Sequence, residues 1–365
     1  MADEKVLVAM SGGVDSAVAA FLLKEQGYDV AGITFWLWGY PGGPETGPYN
    51  GCCAIDVAGL AAKQIGIPHE WVDESQRFKK WIVDPFTEAY LAGRTPNPCV
   101  RCNRHIRFGL MLEHARKMGF DYLATGHHAR VERAGSTYYL KKGVDEVKDQ
   151  SYVLYTLTQD QLADVLFPIG DYTKEEVRRI AEEQGLISAR EPESQDLCFI
   201  NGDYHSTLRE MANGQIRRGE IVDLDGNVIG EHEGVPFYTI GQRRGLGVGV
   251  SIGSGRRTYV VELDPERNRV VVGGEQDLYA TGLIVSEPSF VYVNRLDEPQ
   301  SVTAKIRYRS PEVGATLRPH EDDQVEVIFN KPQRAVTPGQ VAVFYQGDRV
   351  FGGGIIRLKV KKLKS

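Results

Sequence analysis

The chain has 365 residues, 42% of them hydrophobic and 25% charged, with a formal net charge of −6 and a pI of about 5.8. That size suits two or three domains, and the acidic balance excludes a polycation, so any nucleic-acid contact must come from local patches. The sequence has no apolar run long enough to span a membrane and no export-type start; a cytoplasmic protein is expected, with its 5 cysteines as reduced thiols.

In chain order, Val6-Leu7-Val8-Ala9-Met10 reads as a short, wholly apolar strand. Ala17 to Gln26 has helical spacing and stops at Gly27, and Val30 to Trp36 is apolar again. Pro41 to Pro48 (PGGPETGP) reads as a mobile loop. Asp56 to Ile65 is helical, His69 to Asp73 a strand, Ile106 to Met118 helical, and Tyr122 to Thr125 a strand ending at Gly126. This alternation predicts a parallel sheet covered by helices. After about Gly202, glycine is frequent and the hairpin signal Asp225-Gly226-Asn227 is followed by short β-branched runs. These run from Thr258 to Leu263, Arg269 to Val272, Ser301 to Tyr308, Gln324 to Phe329 and Gln340 to Tyr345, and predict one or two all-β domains.

Met10-Ser11-Gly12-Gly13-Val14-Asp15-Ser16 lies between the first strand and the first helix. Adjacent glycines let backbone N–H groups close around an anion, and the helix that follows adds its N-terminal dipole. Ser16 is expected to cap that helix and Asp15 to brace the loop or sit near Mg²⁺. The plainer reading is a tight strand-to-helix turn. The chain lacks G-x-x-x-x-G-K-[ST], so this is not a Walker A loop.

Asn97-Pro98-Cys99-Val100-Arg101-Cys102-Asn103 sets two cysteines two residues apart. A redox pair, half a metal site and a nucleophile with a helper all fit that spacing. Pro96 and Pro98 restrict the approach of the loop. Arg101 and Arg104 flank Cys102, and with a helix beginning nearby they are expected to favour its thiolate. In the last third, the alternation Lys305, Arg307, Arg309 predicts three cations on one strand face. Arg217-Arg218, Arg243-Arg244, Arg256-Arg257 and Lys359 to Lys364 add basic clusters, which suit phosphates or simply keep the surface soluble.

Ser11-Gly12-Gly13-Val14-Asp15-Ser16 after a strand resembles the loop of the PP-loop ATP pyrophosphatases. Six later stretches narrow the likeness: Gly93 to Pro98, Ala124 to Arg130, Lys148 to Tyr152, Leu197 to Ile200, Gly241 to Gly247 and Ala335 to Gln340. Their order and spacing are similar to the bacterial tRNA 2-thiouridylase (MnmA) family along essentially the whole chain. The resemblance implies an α/β N-terminal parallel-sheet PP-loop (adenine nucleotide alpha-hydrolase-like) domain over 1–202. A small central mostly-β tRNA-contacting domain over 203–280 and a C-terminal β-barrel-like tRNA-binding domain over 281–365 would follow.

The activity implied is ATP-dependent 2-thiolation of the wobble uridine (U34) of tRNA, by adenylation of the C2 oxygen and then sulfur transfer. Ala9, Met10, Ser11, Gly12, Gly13, Val14, Asp15 and Ser16 would hold ATP with Mg²⁺, and Phe35 and Gly126 would contact the adenosine. Asn97, Pro98 and Cys99 would approach the target base. His128, Lys148, Asp149, Gln150, Arg307, Tyr308 and Gln340 would meet tRNA. Cys102 would be the nucleophile and Cys198 the persulfide carrier. The partners implied are a tRNA, with Lys, Glu and Gln acceptors, and a sulfur-donor protein, a desulfurase or relay; no membrane is involved.

Cys99 departs from the family pattern, in which aspartate is common at that position. A third sulfur opens three readings: a [4Fe-4S] cluster on Cys99, Cys102 and Cys198, a persulfide relay with Cys99 as a spare thiol, or zinc. Cys52 and Cys53 have no assigned role. The rival functions are another PP-loop adenylating enzyme acting on RNA and a non-catalytic tRNA-binding module.

Overall fold

The computed structural model describes residues 4–39, 55–190, 197–200, 203–246 and 257–360. The Pro41–Pro48 stretch, Cys52, Cys53, Arg256 and the lysines after 360 lie outside the described residues. The chain divides into two compact units, one of residues 1–83, 98–201 and 348–350, the other of 84–97, 202–347 and 351–365. No described helix is long and apolar enough to cross a membrane.

In the first unit, β1 (Lys5–Ala9), β2 (Asp29–Trp36), β3 (His69–Asp73), β4 (Tyr122–Thr125) and β7 (Val165–Leu166) form a parallel sheet in the order β3-β2-β1-β4-β7. β5 (Ala129–Ala134) and β6 (Thr137–Lys142) pair as an antiparallel hairpin turning at Gly135. The expected parallel α/β layer is present. Val6, Leu7 and Val8 are fully buried, as a central strand covered on both faces requires. Ala58, Ala61 and Ala62 of α2 (Ile55–Ile65) are also fully buried, the small side chains allowing close packing. The chain leaves β1 toward β2 and β3, then returns to place β4 on the other side of β1. That reversal opens a crevice at the carboxyl ends of β1 and β4, where open α/β sheets bind ligands.

The helix expected from Ile106 begins at Pro98. It runs as Pro98–Cys102, then a π-helical stretch Asn103–Met111, then Leu112–Lys117. Proline suits a first helical position because its missing N–H has no partner there anyway. A Cβ on Gly109 would lie 2.9 Å from the carbonyl oxygen of Arg104, five residues earlier, so the wide turn uses a residue without one.

In the second unit, β8 (Gly219–Val222) and β9 (Val228–His232) form the hairpin foreseen at Asp225-Gly226-Asn227, with Gly226 at φ +86°. They share a sheet with β10 (Tyr259–Asp264) and β11 (Arg269–Gly273). β12 (Tyr279–Phe290), β13 (Gln300–Lys305), β14 (Val313–Pro319), β15 (Val325–Arg334), β16 (Val341–Gln346) and β17 (Arg349–Val360) follow the order β12-β15-β14-β13-β16-β17. β12 and β17 pair to close a barrel. Its interior includes Leu283, Val285, Leu317, Val327 and Phe344, all fully buried, each contributing about 1.5–3 kcal/mol by leaving water.

The cation stripe is a correction. β13 ends at Lys305, so Lys305, Arg307 and Arg309 do not share a strand face. Ser310 stops the strand: its Oγ accepts from the N–H groups of Ile306 (3.3 Å) and Arg307 (3.2 Å) and donates to the Arg307 carbonyl (2.9 Å).

Candidate active site

The anion loop occupies the crevice between β1 and β4. Gly12 takes φ +84°, and α1 (Val14–Glu25) begins after Gly13 with no side-chain cap. Ser16 therefore does not cap the helix as expected. Its Oγ accepts from Ser11 N (3.2 Å) and donates to the Gly13 carbonyl (3.0 Å), which moulds the loop from inside. Leaving the first turn without a side-chain cap keeps it suited to an anionic ligand. Met10 and Val14 are buried, so they offer a ligand backbone rather than side chain. Ala9 is half-buried at the end of β1 and Ser11 is exposed.

Gly126, just past β4, is fitted to this loop. A Cβ there would lie 2.6 Å from Asp15 C and 2.7 Å from Ser16 N. Phe35 is 2% exposed and meets the His114 ring edge-on, so its side chain packs in the core.

Asp15 anchors a polar cluster that the sequence reading did not name. Lys174 Nζ donates to Asp15 Oδ1 at 2.6 Å, and His128 Nε2 stands 3.6 Å from the same oxygen. Burial alone would raise the Asp15 carboxyl; polar contact with His128 and Lys174, and the Lys174 charge, outweigh it and hold the group below its ordinary value. His128 is 2% exposed. His127 is also buried, shares a 2.7 Å hydrogen bond with Thr125 Oγ1, and is pushed well below its ordinary value by desolvation first and by Arg107 next.

Lys148, Asp149 and Gln150 differ from one another. Asp149 is 5% exposed. Its Oδ1 accepts from Gly143 N and Ser151 N, both at 3.1 Å, and its Oδ2 from Ser151 Oγ at 2.9 Å. It builds the loop. Gln150 brackets His128, accepting from His128 N (3.0 Å) through its side chain and donating its own N–H to the His128 carbonyl (2.9 Å). Lys148 is half-buried.

Cys99, Cys102 and Cys198 are all thiols. Because the helix starts at Pro98, Cys99 rather than Cys102 occupies its first turn, which removes the expected dipole effect on Cys102. Arg101 donates through Nε to the Trp81 carbonyl (3.2 Å). Cys99 is open at its surface, yet the protein around it desolvates the sulfur. That desolvation, with repulsion from Cys198 and partial relief from Arg107, pushes the thiol up to about 11. The Cys198 effect places the two sulfurs in one electrostatic neighbourhood. Phe199, 2% exposed, fixes the Cys198 segment by an edge contact with Phe78 at 5.8 Å.

Among the described residues, no group of three or more His, Cys, Asp or Glu side chains is disposed to hold a metal ion.

In the second unit, Asn97 is half-buried, and Gln340 donates to the carbonyls of Thr95 (3.0 Å) and Pro96 (3.5 Å). Arg307 donates through Nη2 to the Arg334 carbonyl (2.6 Å), and Tyr308 lies in the turn after β13. Gln340 and Arg307 are thus engaged in the fold itself. Lys174 and Arg107 are the functional candidates that sequence reasoning missed. The T-K-E-E capping box marked the start of the Lys174 helix but not its target, and Arg107 was hidden by the misplaced helix start.

Residues 4–202 match the family model described as tRNA methyl transferase HUP domain. Residues 206–274 match the tRNA methyl transferase PRC-barrel domain and 280–356 the Aminomethyltransferase beta-barrel domain. The chain is 47% identical to the tRNA-specific 2-thiouridylase MnmA of Desulforamulus reducens, over 98% of both chains. It is 49% identical to MnmA 1 of Caldanaerobacter subterraneus (98% of this chain, 99% of that one) and 48% identical to MnmA of Moorella thermoacetica (96% and 98%). A chain alike at this level from end to end, with a glycine loop at its sheet crevice and thiols at 99, 102 and 198, belongs to the tRNA-specific 2-thiouridylase family.

Proposed function

We propose that the chain 2-thiolates the wobble uridine (U34) of tRNA using ATP. The observation that carries this reading is the presence in one unit of an uncapped glycine loop at a topological switch point and of the thiols Cys99, Cys102 and Cys198. The relatives' names supply the substrate.

The uridine O2 attacks the α-phosphorus of ATP, and the bond to pyrophosphate breaks. Charge collecting on the leaving pyrophosphate is met by the amides of the Gly12–Gly13 turn and the first turn of α1. Mg²⁺, bound mainly by phosphate oxygens with the Asp15 carboxylate, would supply further charge neutralisation. Gly126 keeps β4 close beneath the loop.

For sulfur transfer we favour the thiol relay, because the cysteines are not gathered as a metal-ligand set. A sulfur-donor protein loads Cys198 as a persulfide. Its outer sulfur attacks C2, the C–O bond breaks, and AMP leaves with the oxygen. The Cys102 thiolate then attacks the inner sulfur, which releases 2-thiouridine and leaves a Cys102–Cys198 disulfide for a dithiol reductant to open. Cys99, kept protonated by desolvation, stays out of this exchange. Asn97 and Pro98 lead the target base toward the helix. Exposed Arg217, Arg218, Arg243, Arg244 and Arg309 hold phosphates, which makes binding salt-dependent.

The test measures AMP and pyrophosphate release with and without tRNA, then identifies the modified base by mass spectrometry with a persulfide donor present. Release without tRNA at the same rate would point to another adenylating enzyme. A methylated uridine in place of a thiolated one would favour the chemistry named in the family-model description.

A further inference from the structure

The peptide between Met10 and Ser11 turns the chain from β1 into the anion loop. Three of its neighbours fix it. Met10 N donates to the Ile33 carbonyl at 2.8 Å, and Ser11 N donates to Ser16 Oγ at 3.2 Å. The Met10 carbonyl accepts from Thr34 Oγ1 at 2.7 Å. A peptide unit is planar, so a hold on its carbonyl also sets the direction of the N–H that follows.

Thr34 stands on β2 and is 1% exposed. A hydroxyl buried that deeply costs stability unless it is hydrogen-bonded. It has a second contact, with His69 Nε2 on β3 at 2.8 Å. A hydroxyl carries one hydrogen, and a carbonyl can only accept, so that hydrogen goes to Met10. His69 Nε2 must then be the donor to Thr34.

We infer that His69 and Thr34 are positioning residues for the nucleotide site. The chain His69 Nε2–H to Thr34 Oγ1–H to the Met10 carbonyl holds the first peptide of the loop in the orientation that offers its amides to phosphate. This inference rests on the ATP-binding reading given above.

The surroundings are shaped for this chain of donors. Gly32 pairs with His69 in the β2–β3 register. A Cβ on Gly32 would lie 2.5 Å from Met10 Sδ and 3.0 Å from His69 Cδ2, so only a residue without one lets both side chains close over β2. Gly32 N donates to the Pro68 carbonyl at 2.8 Å, which fixes the backbone just before His69. On the other side of the ring, Gly59 of α2 leaves room beside Nδ1. Desolvation, opposed in part by Glu70, holds His69 below its ordinary value, so the ring is neutral at pH 7 and its one proton sits on Nε2. The chain thus ties β3, two strands away, to the loop at the end of β1.

The experiment measures calorimetric binding of ATP, pyrophosphate and AMP to the full chain without tRNA. Thr34→Val keeps the shape and removes the hydroxyl. It should weaken ATP and pyrophosphate about 3- to 10-fold and AMP by less than about twofold. Thr34→Ser, which keeps the hydroxyl, should restore most of the affinity. His69→Leu should weaken the same two ligands, and His69→Gln, whose amide retains an N–H donor, should recover part of the loss. In the Thr34→Val background His69→Leu should add nothing, because the two act through one hydroxyl. Equal weakening of all three ligands, or losses that simply add, would mean that the pair only braces the fold, and would overturn the inference. If Thr34→Val does not fold, His69→Leu decides by the same comparison of pyrophosphate with AMP. Nitrogen-15 NMR of the His69 ring gives an independent reading: a proton on Nε2 is expected, and a ring protonated on Nδ1 alone would break the chain of donors. A wild-type chain that bound neither ATP nor pyrophosphate would overturn the phosphate-loop reading and this inference with it. A wild type that bound both, with Thr34→Val binding them as tightly, would overturn this inference alone.

Discussion

The Gln340 side-chain amide donates to the Thr95 carbonyl at 3.0 Å across 245 residues of sequence. The reverse tie runs from Thr95 N to the Pro338 carbonyl at 2.9 Å. Between them sits Gly339 at φ +92°, where a Cβ would lie 2.8 Å from Thr95 N. The loop around Gly339 is therefore moulded on the segment that continues into Pro98 and Cys99. Gln340→Ala should cost about 1 kcal/mol by losing this bond. Gly339→Ala should cost about 1–3 kcal/mol, because it adds left-handed strain to a clash with backbone. Denaturant unfolding reads both. The two variants should also lower thiolation while ATP affinity holds, and the ranking of the two costs is the critical outcome: a harmless Gly339→Ala would contradict the packing.

Gly126→Ala should displace the phosphate loop. The added methyl would meet Asp15 C at 2.6 Å, a backbone atom that cannot turn aside as a side chain would. ATP affinity should fall at least about tenfold, equal to about 1.4 kcal/mol, with the secondary structure kept. Calorimetry on the folded variant checks this, and wild-type affinity would show that β4 does not support the loop.

Much of the first unit was legible in the sequence because β1, β2 and β4 are buried apolar runs and the glycines of the loop have few other uses. The boundaries that failed have local causes. The helix was expected at Ile106 because Pro96 and Pro98 were read as restricting a loop, whereas proline at a first helical position is a start. The Lys305–Arg309 stripe assumed an unbroken strand, whereas Ser310, just past the run read from Ser301 to Tyr308, ties Ile306 and Arg307 into a turn. A sequence does not reveal that the Asp149 carboxylate is held by the backbone N–H groups of Gly143 and Ser151, or that the His128 ring is buried beside Asp15. The Asp15–Lys174 pair spans 159 residues, and no periodicity announces such a contact.

Cys198→Ser and Cys102→Ser should each abolish 2-thiouridine formation, because one removes the persulfide carrier and the other the thiolate that resolves it. Tests of tRNA-dependent AMP release should show far more residual activity than sulfur transfer, as neither cysteine belongs to the phosphate loop. A Cys198→Ser chain that still made 2-thiouridine at the wild-type rate would take Cys198 out of the mechanism and reopen the role of Cys99.

Cys99 offers a prediction whose sign follows from its surroundings. Its folded-state pKa is raised to about 11, first by desolvation and then by Cys198. A raised acid keeps its proton in the folded chain after the unfolded chain has lost it. The stability linked to this group is therefore present below the ordinary thiol range and lost as pH rises through about 11. Alkylation of Cys99, followed peptide by peptide with mass spectrometry, should be slow at neutral pH and reach half its maximal rate near 11. Two variants separate the causes. Cys198→Ser should move the profile to lower pH by removing a like charge, and Arg107→Gln should move it higher by removing the compensating one. A Cys99 that alkylates at neutral pH as fast as an ordinary exposed thiol would break the argument that it stands outside the relay, and would make it a second nucleophile to be tested beside Cys102.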